Sequence, residues 1–254
     1  MKTIVLKEDN KKDYFVTEAY RTLRTNMQFC GNEVRVVALT SCFPNEGKTT
    51  VALEIGKSMA EAGKKVLVID ADLRKSVVVR KYTSEIGVLG LSQFLSQQAS
   101  EEDVLYHTQH NNLDIIFAGQ YPPNPVELLG GSAFKEFIEK SKETYDYIII
   151  DTPPLGMVID SAVVAGVCDS AIMVINSGKV RRKQALEVKE QLLRSGVRIL
   201  GVVLNHAEGK GSPRKTYGGR YYKSCYQYSS ITPKSDNSKC KKQPIFFGRW
   251  AEKL

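Results

Sequence analysis

The feature that most limits how this chain can fold is an apolar run, a short loop and a helical pattern in direct succession. Residues 34–39 contain a single polar side chain, that of Arg35, which is typical of a buried strand. After residue 50, apolar side chains recur on one helix face, and Gly63 is the predicted stop. The loop between them carries Gly47 and Lys48 directly before the helix. A strand, a tight loop and a helix in this order predict a phosphate-binding loop.

The residues of this loop have the chemistry that phosphate groups require. Backbone N–H groups at the start of a helix converge on one point, and the helix dipole favours negative charge there. Gly47 lets the backbone approach the phosphates, Lys48 supplies a positive charge, and the Thr49 hydroxyl can hold Mg²⁺. The residues of the loop that we predict to bind a nucleotide are Pro44, Asn45, Glu46, Gly47, Lys48, Thr49 and Thr50.

Two positions in the loop depart from the usual pattern. Cys42 stands where such a loop normally opens with Gly, and Asn45 stands where many such loops carry another Gly. Asn tolerates a positive φ better than most residues do. The loop alone therefore leaves a second interpretation open, in which Gly47 and Lys48 form a plain turn that caps a helix.

Acidic residues follow two further apolar runs. Residues 66–69 lead into Asp70 and Asp72, and residues 147–150 lead into Asp151 and two prolines. The C-terminal ends of parallel strands line the ligand crevice of an open sheet. The second segment also has the form of a Walker B strand, whose Asp reaches Mg²⁺ directly or through water. The alternatives are an Asx-type turn for the first segment and the plain end of a buried strand for the second.

Strands that alternate with helices predict an α/β fold with a doubly wound, mostly parallel sheet. We expect an N-terminal leader at 1–16, one domain at 17–205 and a flexible basic tail at 206–254. The other expected elements are a helix at 17–29 that Thr17 caps, a mostly helical region at 75–112, a strand at 113–117, a helix at 126–143 disrupted at Gly130 and Gly131, strands at 171–175 and 199–204, and a helix at 184–194.

Charge and cysteine content narrow the function classes. The net charge is +8, and residues 206–254 carry eleven Lys and Arg against three Asp and Glu, so the tail accounts for all of it. Such a tail suits a nucleic acid, a membrane surface or an acidic partner. Five scattered cysteines without a Cys-x-x-Cys pair indicate neither a zinc site nor a disulfide framework. No apolar run approaches the ~20 residues that cross a membrane, which predicts a cytoplasmic protein.

Two further patterns have open interpretations. The tail contains five tyrosines among basic residues, which could stack on single-stranded nucleic acid or accept phosphate: Tyr217, Tyr221, Tyr222, Tyr226 and Tyr228. Near the N-terminus, Glu18, Arg21 and Arg24 recur at steps of three and form a charged stripe on the predicted helix. This stripe is either a solvated face or a subunit contact, and the spacing alone favours the solvated face.

Together these segments resemble the cytoplasmic bacterial tyrosine kinases of capsule and exopolysaccharide systems, over about residues 14–228. The resemblance is carried by the Walker A loop at 40–50, the Walker A′ motif at 70–74, the Walker B segment at 150–154, the segment at 122–129, the Glu-x-x-Arg-x-x-Arg oligomerisation motif at 18–24 and the tyrosine cluster at 217–228. It overturns the interpretation of the charged stripe as a mere solvated face.

The resemblance implies a P-loop NTPase fold of the MinD/ParA type, with ATP and Mg²⁺ as cofactors. It implies that Lys48, Asp70 and Asp72 are catalytic, that Thr49, Asp72 and Asp151 bind the metal, and that the five tail tyrosines accept phosphate. Asn205 is a further candidate for contact with the nucleotide, at the adenine.

The resemblance also implies partners. These are further copies in a ring-like homo-oligomer joined through Glu18, Arg21 and Arg24, protein tyrosine substrates, a cognate phosphatase and a membrane-bound activator of the polysaccharide co-polymerase type. The activator would recruit the chain to the inner face of the plasma membrane, and nucleic acid is not expected as a partner.

Two other functions remain open from the sequence. One is a partitioning or positioning ATPase of the ParA/MinD type. Such proteins usually carry an additional Lys four positions before Gly47, where this chain has Phe43, so the residue argues against that function. The other is a non-catalytic scaffold that binds ATP, which the departures at Cys42 and Asn45 keep open.

Overall fold

A computed structural model describes residues 2–7, 14–83, 85 and 87–207, together with the backbone of 246–248. The strands are β1 (Lys2–Ile4), β2 (Val36–Ser41), β3 (Val66–Asp70), β4 (Leu105–Thr108), β5 (Leu113–Ile116), β6 (Tyr147–Asp151), β7 (Ser170–Asn176), β8 (Arg198–Asn205) and β9 (Phe246–Gly248). The helices are α1 (Tyr14–Gln28), α2 (Lys48–Glu61), α3 (Val78–Tyr82), α4 (Leu91–Leu95), α5 (Glu101–Val104), α6 (Pro125–Gly130), α7 (Ser132–Ser141), α8 (Asp160–Ala165) and α9 (Arg182–Arg194).

The nine strands of the described part form one sheet in the order β1-β4-β5-β3-β6-β2-β7-β8-β9. All pairs are parallel except β4 with β5 and β8 with β9. Helices cover both faces: alternate residues of β2, β3 and β6 pack on one face in a cluster with α1 and α2, and on the other face in two clusters with α4, α6, α7, α8 and α9. The predicted doubly wound, mostly parallel α/β sheet is confirmed.

The central strands are continuous apolar runs because both of their faces are buried. Every residue of β2, β3, β6 and β7 is buried. Their C-terminal ends meet at one edge of the sheet, since they run parallel to one another. That edge carries the loop after β2 and the acidic residues that end β3 and β6.

The N-terminal expectations need correction. Helix α1 begins at Tyr14, three residues before the predicted start, so Thr17 lies inside the helix. Packing explains the extension, because Val16 contacts the core cluster beneath α1 and α2. The leader is not wholly irregular either: residues 2–4 form β1, which pairs with β4.

Two further expectations were wrong in detail, whereas the expected disruption at Gly130 and Gly131 is confirmed. The region 75–112 is not mostly helical, since it holds three short helices and the strand β4. The helix at 126–143 is two helices, α6 and α7, which meet at Gly131. In the tail, residues 246–248 pair with β8 in antiparallel fashion, while the tyrosine cluster lies outside the described residues.

In the part of the chain that the structure describes, no helix has the length and apolar character needed to span a membrane.

Candidate active site

A cleft of about 770 Å³ opens at the C-terminal edge of the sheet. It is lined by ten of the eleven residues predicted to bind the nucleotide, bind the metal or act in catalysis: Pro44, Asn45, Gly47, Lys48, Thr49, Thr50, Asp70, Asp72, Asp151 and Asn205. Glu46 does not line it. The loop after β2, the segment after β3, the end of β6 and the end of β8 therefore contribute to one cavity.

The loop after β2 adopts the conformation that its sequence allows. Gly47 has φ 89° and stands immediately before α2, and a Cβ there would lie 2.0 Å from Nδ2 of Asn205. Only glycine combines this φ with so close an approach. Asn45 has φ 63°, which asparagine tolerates. The backbone at Cys42 does not have a positive φ, so the usual first glycine is not needed there.

Glu46 holds the loop from within. Its side chain is buried, and Oε2 accepts hydrogen bonds from the backbone N–H groups of Cys42 at 2.7 Å and Phe43 at 2.9 Å. Its Oε1 accepts a third from the N–H of Asn176 at 3.2 Å. The carboxylate of Glu46 thus links the first residues of the loop, Cys42 and Phe43, to the end of β7 at Asn176. The sequence places Glu46 among the nucleotide-binding residues, but this side chain is directed at the protein backbone.

Asn205 also supports the loop. Its Nδ2 donates to the carbonyl oxygen of Glu46 at 2.9 Å, and its register partner on β7 is Asn176. Asparagine side chains at the ends of β7 and β8 thus flank the loop on one side. This hydrogen bond satisfies the buried amide group of Asn205. An additional contact between Asn205 and adenine stays a prediction.

Asp70 and Asp151 are neighbours because β3 and β6 pair in parallel register. The two residues are direct partners in the ladder, so their side chains leave the sheet on the same face, the one that α2 covers. Both are almost fully buried. Ser76 donates to one oxygen of Asp70, and the N–H of Asp72 donates to the other at 3.1 Å.

Lys48 is the cation nearest to this acidic group. Its Nζ lies 3.9 Å from Oδ2 of Asp72, and both side chains are about nine-tenths buried. Burial first, then the charge of Asp151, raises the pKa of Asp70 to about 8. Burial likewise raises the pKa of Asp151 to about 6, against the lowering influence of Lys48. Burial therefore makes the charged forms of these two carboxyls less favourable than they are in water, and more so for Asp70 than for Asp151.

The carboxylate of Asp151 fits a metal that the cleft would bind together with a nucleotide. Within the part of the chain that the structure describes, neither of its buried oxygens has a hydrogen-bond partner of good geometry, although Thr49 is close enough to lower the pKa of Asp151. Among the described residues, no three or more His, Cys, Asp or Glu side chains are grouped as metal ligands. Mg²⁺ usually takes one or two carboxylates from the protein and completes its shell with water and substrate phosphates.

One pair at the cleft was not singled out from the sequence. Arg74 lines the cleft, and its Nε and Nη2 donate to the two oxygens of Asp160 at 2.8 and 3.1 Å. Arg74 lies in the acidic segment after β3, whereas Asp160 begins α8. Nothing in the local pattern marks Asp160, because its partner is 86 positions away.

The charged stripe of α1 makes contacts within the chain. Arg21 donates to Glu18 at 2.6 Å on the helix surface. Arg24 donates to the carbonyl oxygen of Ser58 at 2.6 Å and so fastens α1 to α2. The role of the stripe in subunit contacts stays a prediction.

The fold and the cleft define a class. A family model described as an AAA domain matches residues 34–195, and the chain belongs to that family. The MinD septum site-determining protein of Pyrococcus horikoshii, solved with Mg-ADP, has a similar fold at TM-score 0.59 and 27% identity, covering 70% of this chain and 72% of that one. The protein is therefore a P-loop NTPase in fold.

Two kinases are similar over most of the chain. The tyrosine-protein kinase CpsD of Streptococcus agalactiae is 38% identical over 201 residues, which cover 79% of this chain and 88% of the relative. The kinase domain of the Escherichia coli tyrosine kinase ETK superposes at TM-score 0.73 with 31% identity, covering 84% of this chain and 87% of that domain. The chain belongs to the bacterial tyrosine-protein kinase family of enzymes.

We expect the stability of the ligand-free protein to fall as the pH rises. In the unfolded state these carboxyls release their protons at a pKa near 4. The raised pKa values of Asp70 and Asp151 mean that the folded state still holds the protons above that pH. This stabilisation is complete below about pH 4 and is lost as the pH rises through about 6 and 8. Replacing Asp70 by Asn should reduce the loss between pH 6 and 8 by roughly 2 kcal/mol.

Urea unfolding in EDTA at several pH values measures this difference. The exposed carboxylate of Glu33, replaced by Gln, provides the control, since its side chain is 71% exposed. Parallel curves for the wild type and the Asp70→Asn variant would contradict the prediction.

We expect Glu46→Ala to destabilise the protein by about 1–3 kcal/mol, because buried N–H groups would lose their acceptor. Nucleotide affinity should fall as well, since the loop that holds the phosphates would lose its internal support. Urea unfolding and nucleotide titration measure the two effects. The Glu33→Ala variant on the surface should show neither effect, and equal stabilities of the two variants would show that the loop holds its shape unaided.

Proposed function

We propose that this chain is an ATP-dependent protein-tyrosine kinase that phosphorylates the tyrosine cluster of its own C-terminal tail in trans. The observation that carries the proposal is the cleft itself. It combines a phosphate-binding loop, a buried lysine 3.9 Å from Asp72, and an adjacent carboxylate at Asp151 whose oxygens have no hydrogen-bond partner of good geometry among the described residues. The similarity to bacterial tyrosine kinases selects the reaction among those that a P-loop site supports.

The basic and backbone groups of the cleft would bind ATP. The N–H groups at the start of α2 and the ammonium group of Lys48 would hold the β- and γ-phosphates. Pro44, Asn45, Thr50 and Asn205 would surround the nucleotide, and Glu46 would act through the shape of the loop. Phosphoryl transfer depends mainly on positioning and charge neutralisation, which these fixed groups supply.

The acidic groups would serve the metal and the acceptor. Thr49, Asp72 and Asp151 would hold Mg²⁺, which when bound neutralises charge on the transferring phosphoryl group. Asp70 would orient the tyrosine hydroxyl or take its proton as the oxygen bonds to the γ-phosphorus and ADP leaves. The burial of Asp70 beside Asp151, away from bulk water, supports this role.

The proposal extends to assembly and regulation. The chain would form a ring-like homo-oligomer through Glu18, Arg21 and Arg24, in which each tail enters a neighbour's cleft. A membrane-bound activator of the polysaccharide co-polymerase type would hold it at the inner face of the plasma membrane, and a cognate phosphatase would reverse the reaction. Five phosphotyrosines would add roughly −8 to −10. That charge would offset the tail's excess of eight and weaken its attraction to acidic surfaces, which suits control of capsule or exopolysaccharide synthesis.

We expect the wild type to label itself when it is incubated with Mg²⁺ and ATP, with detection by an anti-phosphotyrosine antibody. Replacing Lys48 by Met should reduce the signal at least ~100-fold, since its charge neutralises the transferring phosphate. The matched control is Lys65→Met, an exposed lysine before β3, which should label normally. Release of phosphate without phosphotyrosine would instead favour a ParA/MinD-type ATPase, and nucleotide binding without either would favour a scaffold.

We expect transfer between chains. A Lys48→Met chain with an intact tail would be mixed with an active chain whose five tail tyrosines are replaced by Phe. Phosphotyrosine on the Lys48→Met chain indicates transfer in trans, because neither chain can then modify itself. If the wild type labels itself and the mixture does not, the reaction occurs within one chain.

A further inference from the structure

We propose that Arg74 and Asp160 form a positioning clamp that fixes Asp72 relative to Asp151 and thereby sets how strongly Mg²⁺ tightens nucleotide binding. The inference rests on the proposed function in one respect, namely that these two carboxylates face the metal. It assigns neither clamp residue to the reaction itself.

The clamp joins the two segments that carry the carboxylates. Arg74 follows Asp72 by two residues in the segment after β3, and Asp160 follows Asp151 by nine in the segment after β6. The two donors of Arg74 meet the two oxygens of Asp160 at 2.8 and 3.1 Å, so the contact is bidentate. A bidentate guanidinium–carboxylate pair restricts orientation as well as distance.

The Asp160 end of the clamp is rigidly held. Its side chain is fully buried at the first residue of α8. The next residue, Ser161, is also buried and donates to the carbonyl oxygen of Pro153, which accepts a second bond from Thr40 at 3.0 Å. Pro153 lies two residues after Asp151, so the start of α8 is tied to the end of β6 and to β2.

The Arg74 end is connected to Asp72 by a short turn. Oδ1 of Asp72 accepts from the N–H of Lys75 at 3.0 Å, while its other oxygen lies near Lys48. Arg74 is therefore part of the turn that Asp72 closes. Asp72 lies beyond the end of β3 and has no ladder partner of its own, unlike Asp70. The contact with Asp160 thus supplies a link from this turn to the β6 side of the cleft.

Arg74 could either contact a phosphate group of the nucleotide directly or act as a clamp with Asp160, and the two roles lead to different predictions. A direct contact with phosphate would strengthen nucleotide binding with or without metal, and Asp160 would matter little. A clamp would act through the metal ligands, so Arg74 and Asp160 would matter equally and only when Mg²⁺ is present. Groups that orient metal ligands in this way typically change metal-dependent affinity by about 10- to 100-fold.

Titration of the full chain with a fluorescent ADP analogue, in Mg²⁺ and in EDTA, tests the clamp. The variants are Arg74→Lys, which loses the bidentate geometry but keeps the charge, Asp160→Asn, and the two combined. We expect each to lose about 10- to 100-fold of affinity in Mg²⁺ and less than about two-fold in EDTA. The double variant should be no weaker than either single one, because the residues act as a unit.

The control is Arg198→Lys, which alters an exposed pair with Glu33 at 3.2 Å and should change neither affinity. Equal losses in both buffers for Arg74→Lys, with Asp160→Asn unaffected, would overturn the clamp in favour of a phosphate contact. Unchanged affinities, or a wild type whose binding does not respond to Mg²⁺, would also overturn it.

If Asp160→Asn fails to fold by circular dichroism, Arg74→Lys alone decides, since the Arg74 side chain is one-third exposed. ADP binding needs no phosphoryl transfer, so the outcome is independent of whether tyrosine is the acceptor.

Discussion

The parallel pairing of β3 with β6 is the constraint on which the site depends. Its register sets Asp70 directly beside Asp151, and burial keeps water from screening the two carboxyls. Burial first, then the charge of Asp151, raises the pKa of Asp70, whereas burial first, then the charge of Asp72, raises the pKa of Asp151. The adjacent β2 brings Lys48 to the same side. In the proposed function, a divalent cation held by Asp72 and Asp151 would add its charge to that of Lys48 at this point of the cleft.

The loop after β2 shows how a departure from a familiar pattern can be accommodated. Where the pattern has a first glycine, the backbone at Cys42 keeps an ordinary φ, and its N–H is bound by the carboxylate of Glu46. Asn45 takes the left-handed conformation that glycine would otherwise provide. Gly47 alone is indispensable, because Asn205 occupies the space of a Cβ. The loop therefore keeps its conformation with Cys42 and Asn45 in place of two glycines, and the Glu46 carboxylate binds its first backbone N–H groups.

What could be predicted from the sequence was whatever depends on neighbouring residues. The buried strands are apolar runs, and their acidic ends follow directly, so the sheet, the phosphate-binding loop and the acidic residues of the cleft could be assigned. The edge strand β1 could not, because it exists only by pairing with β4, about 100 residues away. The same limit hid Asp160, whose charge is explained only by Arg74. Glu46 was assigned to the right loop, but its side chain turns back to the N–H groups of Cys42 and Phe43, and its bond to Asn176 joins residues 130 positions apart.

Helix α1 illustrates how one element can serve both the core and a surface. Residues Tyr20, Leu23 and Met27 are buried, while Glu18 and Arg21 lie on the other side and pair with each other. An exposed pair of this kind contributes only about 0.2–0.5 kcal/mol, so exchanging it for a contact with another chain would cost little. Arg24, in contrast, is bound to the backbone of α2, whose first residue is Lys48. The three residues of the stripe therefore have two different roles. Glu18 and Arg21 could contact another chain without disturbing α2, whereas a new contact of Arg24 would break its bond to the helix that begins at the phosphate-binding loop.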